Sequence, residues 1–461
     1  MGYELAFLIA IVALLSIMLS PLARIPEVFF GGQSPAGRGP GLWTLTFSMV
    51  TSWLLARSLL NAALLGFFFG VWGVLACAAY YLSFWVANWI ISRIRFEQGY
   101  SNIQTWLYDR FGAWGPACYN FIAYLRLISE VAGSLLVVGV LIGSEGSGSY
   151  ILAVLGVALV TLTYSLMGGM SAALRTDLFQ WLIFAGITLF LVLLVAGNGN
   201  LEWRHLLREP FSVSSPGPVL LAAVMLQIWS FPLHDPVLMD RGFLAGRDVT
   251  RQAYAHAGWI GVACIVLFGA LGVLAGGAAA PGEPLLASLQ RLLGTPAMFL
   301  FSSALIVVAM AGIDGALASS ARLMAVDMRA IMPNLANGRL AMVITTLLGL
   351  IVMFLGRQDP FMALALSGIV SMYLSPVVFF SLLNRREDIP AWSYVSSCLL
   401  ALAGALLYFL EARGQTGLMG EMHNHTRLLL ICFGLFAGCN LLFWIGGRLA
   451  YAVRMRPQGS L

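Results

Sequence analysis

Apolar stretches long enough to cross a hydrocarbon core recur along the whole chain, separated by short connections that carry most of the charge. A membrane-crossing helix needs about 20 predominantly apolar residues. Charge-poor runs near that size fall at 5–22, 43–69, 71–92, 114–142, 150–167, 178–196, 218–239, 259–275, 296–325, 340–356, 360–383, 392–410 and 428–445. The pattern predicts an all-α membrane protein of about thirteen transmembrane helices, with 1–461 forming one transmembrane domain.

Composition agrees with that pattern. Of 461 residues, 60% are hydrophobic and 10% charged, and the mean hydropathy is +0.88, far from the balance of a water-soluble domain. The net charge of +5 does not point to nucleic acid, because the basic residues sit in loops between apolar runs and form no patch. All 25 basic residues are arginines, and the positive-inside rule makes the side with more of them cytoplasmic. Only Arg204, Arg208, Arg291, Arg357, Arg413 and Arg427 fall on the other side. This predicts a bacterial inner-membrane protein with its N-terminus outside and its C-terminus in the cytoplasm. The six cysteines lie in or beside apolar runs without CxxC spacing, so neither a disulfide framework nor a metal cluster is expected. The first run lacks a basic leader and a small-residue cleavage site, and is expected to stay as a helix.

Charges inside spans carry the candidate chemistry. Arg57 falls near the middle of 43–69 and Arg126 lies in 114–142, with Glu130 one helical turn further on. An arginine at mid-membrane costs on the order of 3 kcal/mol on insertion scales, so each must face protein and find a partner. Asp314 and the string His234-Asp235-Pro236 are also at membrane depth. Pro232 and Pro236 remove helix hydrogen bonds, which predicts a break in the span 218–239. Broken helices in matching places of two inverted repeats form midplane binding sites, so a partner break is expected near Arg57.

The chain at this point resembles the sodium/solute symporter family. The residues that carry the resemblance are Tyr164-Ser165-Leu166-Met167-Gly168-Gly169-Met170-Ser171-Ala172-Ala173 followed by Arg175-Thr176-Asp177-Leu178-Phe179-Gln180. Thr51-Ser52-Trp53, Asp240-Arg241-Gly242-Phe243-Leu244-Ala245, Ser319-Ser320-Ala321 and Asp327 follow the family order more loosely. The resemblance implies a LeuT-like inverted repeat of five plus five helices, here 43–196 and 218–383. One extra helix at 5–22 would precede it and two at 392–445 would follow. It further implies a substrate site drawn from Trp53, Arg57, Ser58, Arg126, Gln227 and Phe231, with Phe231 closing the inner path. The family's conserved sodium site would fall on Thr51, Leu54, Val308, Ala311 and Gly312. Two of these depart from the family, because Ala311 and Gly312 stand where adjacent hydroxyls bind sodium. A hard cation needs several oxygen ligands, so the departure argues against sodium coupling and leaves a proton, carried by Glu130, Asp235 or Asp314, as the alternative.

Each of these residues has a plainer reading. Arg57 either forks a substrate carboxylate or pairs internally with Asp314 or Asp235. Arg126 either assists recognition or pairs with Glu130 along its own helix. Asp314 is a proton carrier, an ion-pair partner or a vestibule residue, and Asp177 reads as a helix cap. Trp53, Gln227 and Phe231 line a site or simply pack. His423-Asn424-His425 has metal-like spacing but no third ligand, so no metal is expected. No cofactor motif or catalytic constellation stands out, and the enzyme class fits poorly. The leading expectation is a secondary transporter of a small carboxylate or zwitterion working by alternating access. A transporter-like sensor that binds a solute and signals through a partner is the alternative.

Overall fold

In the computed structural model the described residues are 2–33, 37–197, 212–328, 332–356 and 360–454, so Arg204, Arg208 and Arg357 lie outside them. Every described element is helical. In chain order these are α1 (Gly2–Leu19), α2 (Pro26–Gly31), α3 (Leu42–Trp53), α4 (Ala56–Ala79), α5 (Ser83–Ile91), α6 (Ile103–Phe111), α7 (Trp114–Ile142), α8 (Gly148–Gly168) and α9 (Met170–Ala196). They continue with α10 (Pro216–Gln227), α11 (Phe231–His234), α12 (Pro236–Arg241), α13 (Arg247–Ala278), α14 (Leu285–Arg322), α15 (Leu335–Leu355), α16 (Pro360–Ser371), α17 (Ala391–Ala412) and α18 (Asn424–Arg454). Among the described residues, 10 helices are long and apolar enough to cross a membrane, and two shorter apolar helices, Tyr3–Leu19 and Pro216–Gln227, add to them. The chain is a multi-pass membrane protein.

Two of the expected spans are interrupted, and the interruptions have different causes. Between α10 and α12 the chain breaks twice around the four-residue α11, where Pro232 and Pro236 remove helical donors. Asp235 turns out of helical geometry (φ −97°, ψ 105°) and restarts the helix as its N-cap, with Oδ1 accepting from the Leu238 amide at 3.0 Å and Pro236 following in the first turn. The other break separates α3 from α4 at Leu54 (ψ 65°) and Leu55 (ψ 147°). No proline or glycine stands there. It lies just before Arg57, where a partner break was expected. A further bend at Phe69 and Gly70 (φ 55°) ends the first half of α4, so the expected division between the spans 43–69 and 71–92 is a bend and not a loop.

The first half of α4 packs along α13 at backbone distance. A Cβ on Gly66 would run into the carbonyl of Gly269, and one on Gly272 into the carbonyl of Ala63. Small residues at such positions let helices in lipid gain close van der Waals contact where no hydrophobic effect favours association. At the centre, α14 is buried over almost its whole length from Ala297 to Ala321 and contacts α3, α4, α7, α8, α9 and α12. The two broken helices therefore lie against one buried helix.

Candidate functional site

The break between α3 and α4 points Arg57, in the first turn of α4, across to α7. Gly133 makes room for it, since a Cβ there would lie 3.0 Å from Arg57 Nη1 and 3.1 Å from its Cδ. Arg57 Nη2 donates to Glu130 Oε2 at 2.9 Å, and Nη1 reaches the carbonyl and hydroxyl of Ser129, each at 3.4 Å. Arg126, one turn before Glu130, donates to the same Oε2 at 2.6 Å and through Nη2 to Asp235 Oδ2 at 3.0 Å. Two guanidinium groups and two carboxylates thus form one chain, Arg57–Glu130–Arg126–Asp235, tying α4 to α7 and to the break before α12. All four residues are at most 6% exposed. Charges in so apolar a setting persist because they are paired and hydrogen-bonded.

Arg57 pairs neither with Asp314 nor with Asp235, as expected from the sequence, but with Glu130. Break geometry explains the difference: α4 restarts with its first turn facing α7, and Asp235 is taken by Arg126. The plain reading of Arg126, pairing with Glu130 along α7, holds.

Beside this chain lies a small cavity lined by Trp53, Leu55, Ser58, Cys77, Tyr80, Tyr81, Arg126, Phe231 and Leu364. Its free volume of about 20 Å³ holds about one water molecule. Of the six residues expected at a substrate site, Trp53, Ser58, Arg126 and Phe231 line it, while Arg57 and Gln227 do not. Phe231 stands edge-on to Trp53 (5.6 Å between ring centroids, 84°) and tilts against Tyr80 at 5.2 Å. Gln227 sits behind the wall, where its Oε1 accepts from Tyr80 and its Nε2 approaches Cys432 Sγ at 3.1 Å. Tyr80 and Tyr81 escaped the sequence reading because they read as ordinary residues of an apolar run; only the turn Tyr80–Leu82 aims them inward.

A second buried cluster lies between α3, α9, α12 and α14. Arg241, which follows the expected span 218–239, is fully buried. Its Nε donates to Ser48 Oγ at 2.8 Å, its Nη1 to the Val237 carbonyl at 3.0 Å, and its Nη2 to Asp177 Oδ2 at 3.3 Å. Ser48 also donates to Asp177 Oδ2 at 2.6 Å. Asp177 therefore does not cap a helix, as expected, but sits well inside α9 as an ion-pair partner. Asp314 faces no vestibule. It is 1% exposed, accepts from Thr176 Oγ1 at 2.8 Å, and has no arginine within ion-pair distance among the described residues.

The positions expected to match a sodium site surround the α3–α4 break. Thr51 Oγ1 is turned back onto the Phe47 and Ser48 carbonyls at 2.8 and 3.2 Å. Leu54 is the break residue, and Val308, Ala311 and Gly312 are buried in α14. A Cβ on Gly312 would lie 3.3 Å from Ser134 Oγ and 3.7 Å from Glu130 Oε1, so α7 side chains crowd the place a hydroxyl at 312 would take. His423 and His425 meet edge-on at 4.7 Å between ring centroids, but His425 Nδ1 is engaged with the Pro216 carbonyl at 3.1 Å.

Paired broken helices against a central buried helix can be compared with solved structures. A sodium-coupled sialic acid symporter in a substrate-bound, outward-open state aligns over 97% of this chain and 98% of its own, at 14% identity and a TM-score of 0.68. The chain has the LeuT-like fold. Mhp1, a nucleobase-cation-symport-1 family transporter in a closed conformation with bromovinylhydantoin bound, aligns over 94% of this chain and 96% of its own, with 13% identity and a TM-score of 0.55. The manganese transporter of Eremococcus coleocola aligns over 89% and 95%, with 14% identity and a TM-score of 0.51. A scan of family models finds none that matches the chain, and a search of curated proteins finds no match either. At these identities the likeness concerns the fold, and the three neighbours are membrane transporters, not enzymes.

Proposed function

We propose that the chain is a secondary active transporter of a small organic solute, a carboxylate or zwitterion, working by alternating access in a bacterial inner membrane. The repeats would be 43–196 and 218–383, with the N-terminus outside and the C-terminus in the cytoplasm. One observation carries the reading: the small aromatic cavity between the two broken helices has as its polar wall Arg126, whose partners Glu130 and Asp235 come one from an intact helix and one from a break. A solute carboxylate reaching Arg126 would compete with Asp235 and so couple its own binding to the position of α12. Arg57 would hold Glu130 in place and not touch the solute. Trp53, Ser58 and Phe231 would contact the solute body, with Phe231 as the inner closure.

Coupling to a proton fits better than coupling to sodium. Ala311 and Gly312 supply no side-chain oxygen where a hard cation needs several. Among Glu130, Asp235 and Asp314, the last is the carboxyl without a guanidinium partner, which makes it the foremost proton carrier.

Uptake of radiolabelled carboxylates and amino acids into proteoliposomes, under imposed proton or sodium gradients, tests this directly. Accumulation driven by the proton gradient and abolished in Arg126→Gln is expected. A steep sodium requirement would overturn the coupling argument, and saturable solute binding without uptake would favour the sensor reading.

A further inference from the structure

A larger cavity than the central one, of about 600 Å³, lies between α7, α16 and α17 and reaches α11 at its floor. Its walls are mainly apolar, and two wall residues, Leu125 on α7 and Leu406 on α17, are 47% and 58% exposed. Exposed leucines of a membrane protein face acyl chains, so the mouth between α7 and α17 opens sideways into the bilayer.

Its two ends differ. At the rim stands Arg413, the residue that caps α17. Its guanidinium lies 4.7 Å over the Phe409 ring and donates to the Gly356 carbonyl at 3.3 Å, and no carboxylate among the described residues pairs with it. At the floor are Arg126 and His234. Arg126 is held by Glu130 and Asp235, and His234 Nε2 meets Ser367 Oγ at 3.1 Å, so the floor offers no uncompensated charge. Leu402 and Arg413 both line the cavity on α17. At 1.5 Å rise per residue that stretch is roughly 16 Å long, about half of a ~30 Å hydrocarbon core.

We propose that this cavity holds one acyl chain of an anionic phospholipid from the leaflet on the α17–α18 side, with the lipid phosphate on Arg413. The depth of the pocket matches one leaflet, the walls match an alkyl chain, and a guanidinium without a carboxylate partner among the described residues lies where a headgroup lies. A bound chain would press on α16, whose Leu366 and Val370 face the acyl site while its Leu364 lines the central cavity; Arg126 is common to the walls of both. Lipid composition would thereby act on the helix that borders the solute.

The test measures phospholipid retained by the full chain after extensive detergent washing from mixed phosphatidylglycerol and phosphatidylcholine membranes. Wild type should retain phosphatidylglycerol in preference. Arg413→Gln, at an exposed rim, should lose the preference, and Ala405→Trp, which places an indole across the cavity, should lower the retained lipid several-fold. Unchanged retention in either variant overturns the assignment. So does displacement of the lipid by short-chain carboxylates, which would make the cavity part of the solute path. Because retention is read without transport, these outcomes are independent of whether the chain moves a solute.

Discussion

Replacing Glu130 with Gln should be among the most damaging single changes in the protein. Its Oε2 accepts from Arg57 at 2.9 Å and from Arg126 at 2.6 Å, and the side chain is 3% exposed. The substitution keeps the volume and removes one negative charge, leaving two buried guanidinium groups and Asp235, which pairs with Arg126, as the chain's one remaining carboxylate. Removing one partner of a buried pair costs about 3–5 kcal/mol, in line with the ~3 kcal/mol of an uncompensated mid-membrane arginine. Arg57→Met in the same chain takes away the surplus cation, so the double variant should be less destabilised than the sum of the singles. The expected coupling is about 0.5–3 kcal/mol. Unfolding in mixed micelles, followed by circular dichroism for wild type, both singles and the double, measures all four corners. The reasoning fails if Glu130→Gln lies within about 0.5 kcal/mol of wild type, the size of a surface change, or if the two substitutions add.

Gln227→Leu should cost about 1–3 kcal/mol by orphaning the buried Tyr80 hydroxyl while leaving solute affinity unchanged, as paired melting and binding curves would register. Gly272→Ala should destabilise by at least ~1–3 kcal/mol, because its Cβ would meet the Ala63 carbonyl of α4 and backbone cannot step aside; a melting temperature at or above wild type would contradict this. Outside the spans, Arg291 and the Ala280 amide hold the Glu283 carboxyl down to about 2 from an ordinary 4.5. A depressed value means that the contribution is complete above the unfolded value and fades as pH falls toward about 2. The small melting difference between wild type and Glu283→Gln should therefore vanish on acidification, and a difference that grew would reverse the sign.

The two breaks show what was legible in the sequence and what was not. The one around α11 is written in Pro232 and Pro236, since a missing donor is a local property. The one at Leu54–Leu55 has no local signature, and only the charge of Arg57 behind it pointed there. Arg57 and Arg126 were recognisable because a mid-span cation must be compensated, yet the choice of Glu130 as Arg57's partner depended on the direction in which α4 restarts. The burial of Arg241 was not legible because a residue just past a span end reads as solvated, whereas α12 begins inside the protein and delivers it to Asp177. Trp53, Ser58 and Phe231 were placed at the cavity by resemblance, while Tyr80 and Tyr81 needed the turn that aims them.

The four-membered chain of Arg57, Glu130, Arg126 and Asp235 has an electrical consequence. Its formal charges sum to zero, so a rocking motion that carries the group as a unit through the field of an energised membrane performs no electrical work. A single unbalanced charge would instead meet about 2.3 kcal/mol per 100 mV. For a chain that transports as proposed, the membrane voltage does little work on this unit, and electrogenicity is decided by the cargo and the ion that accompanies it.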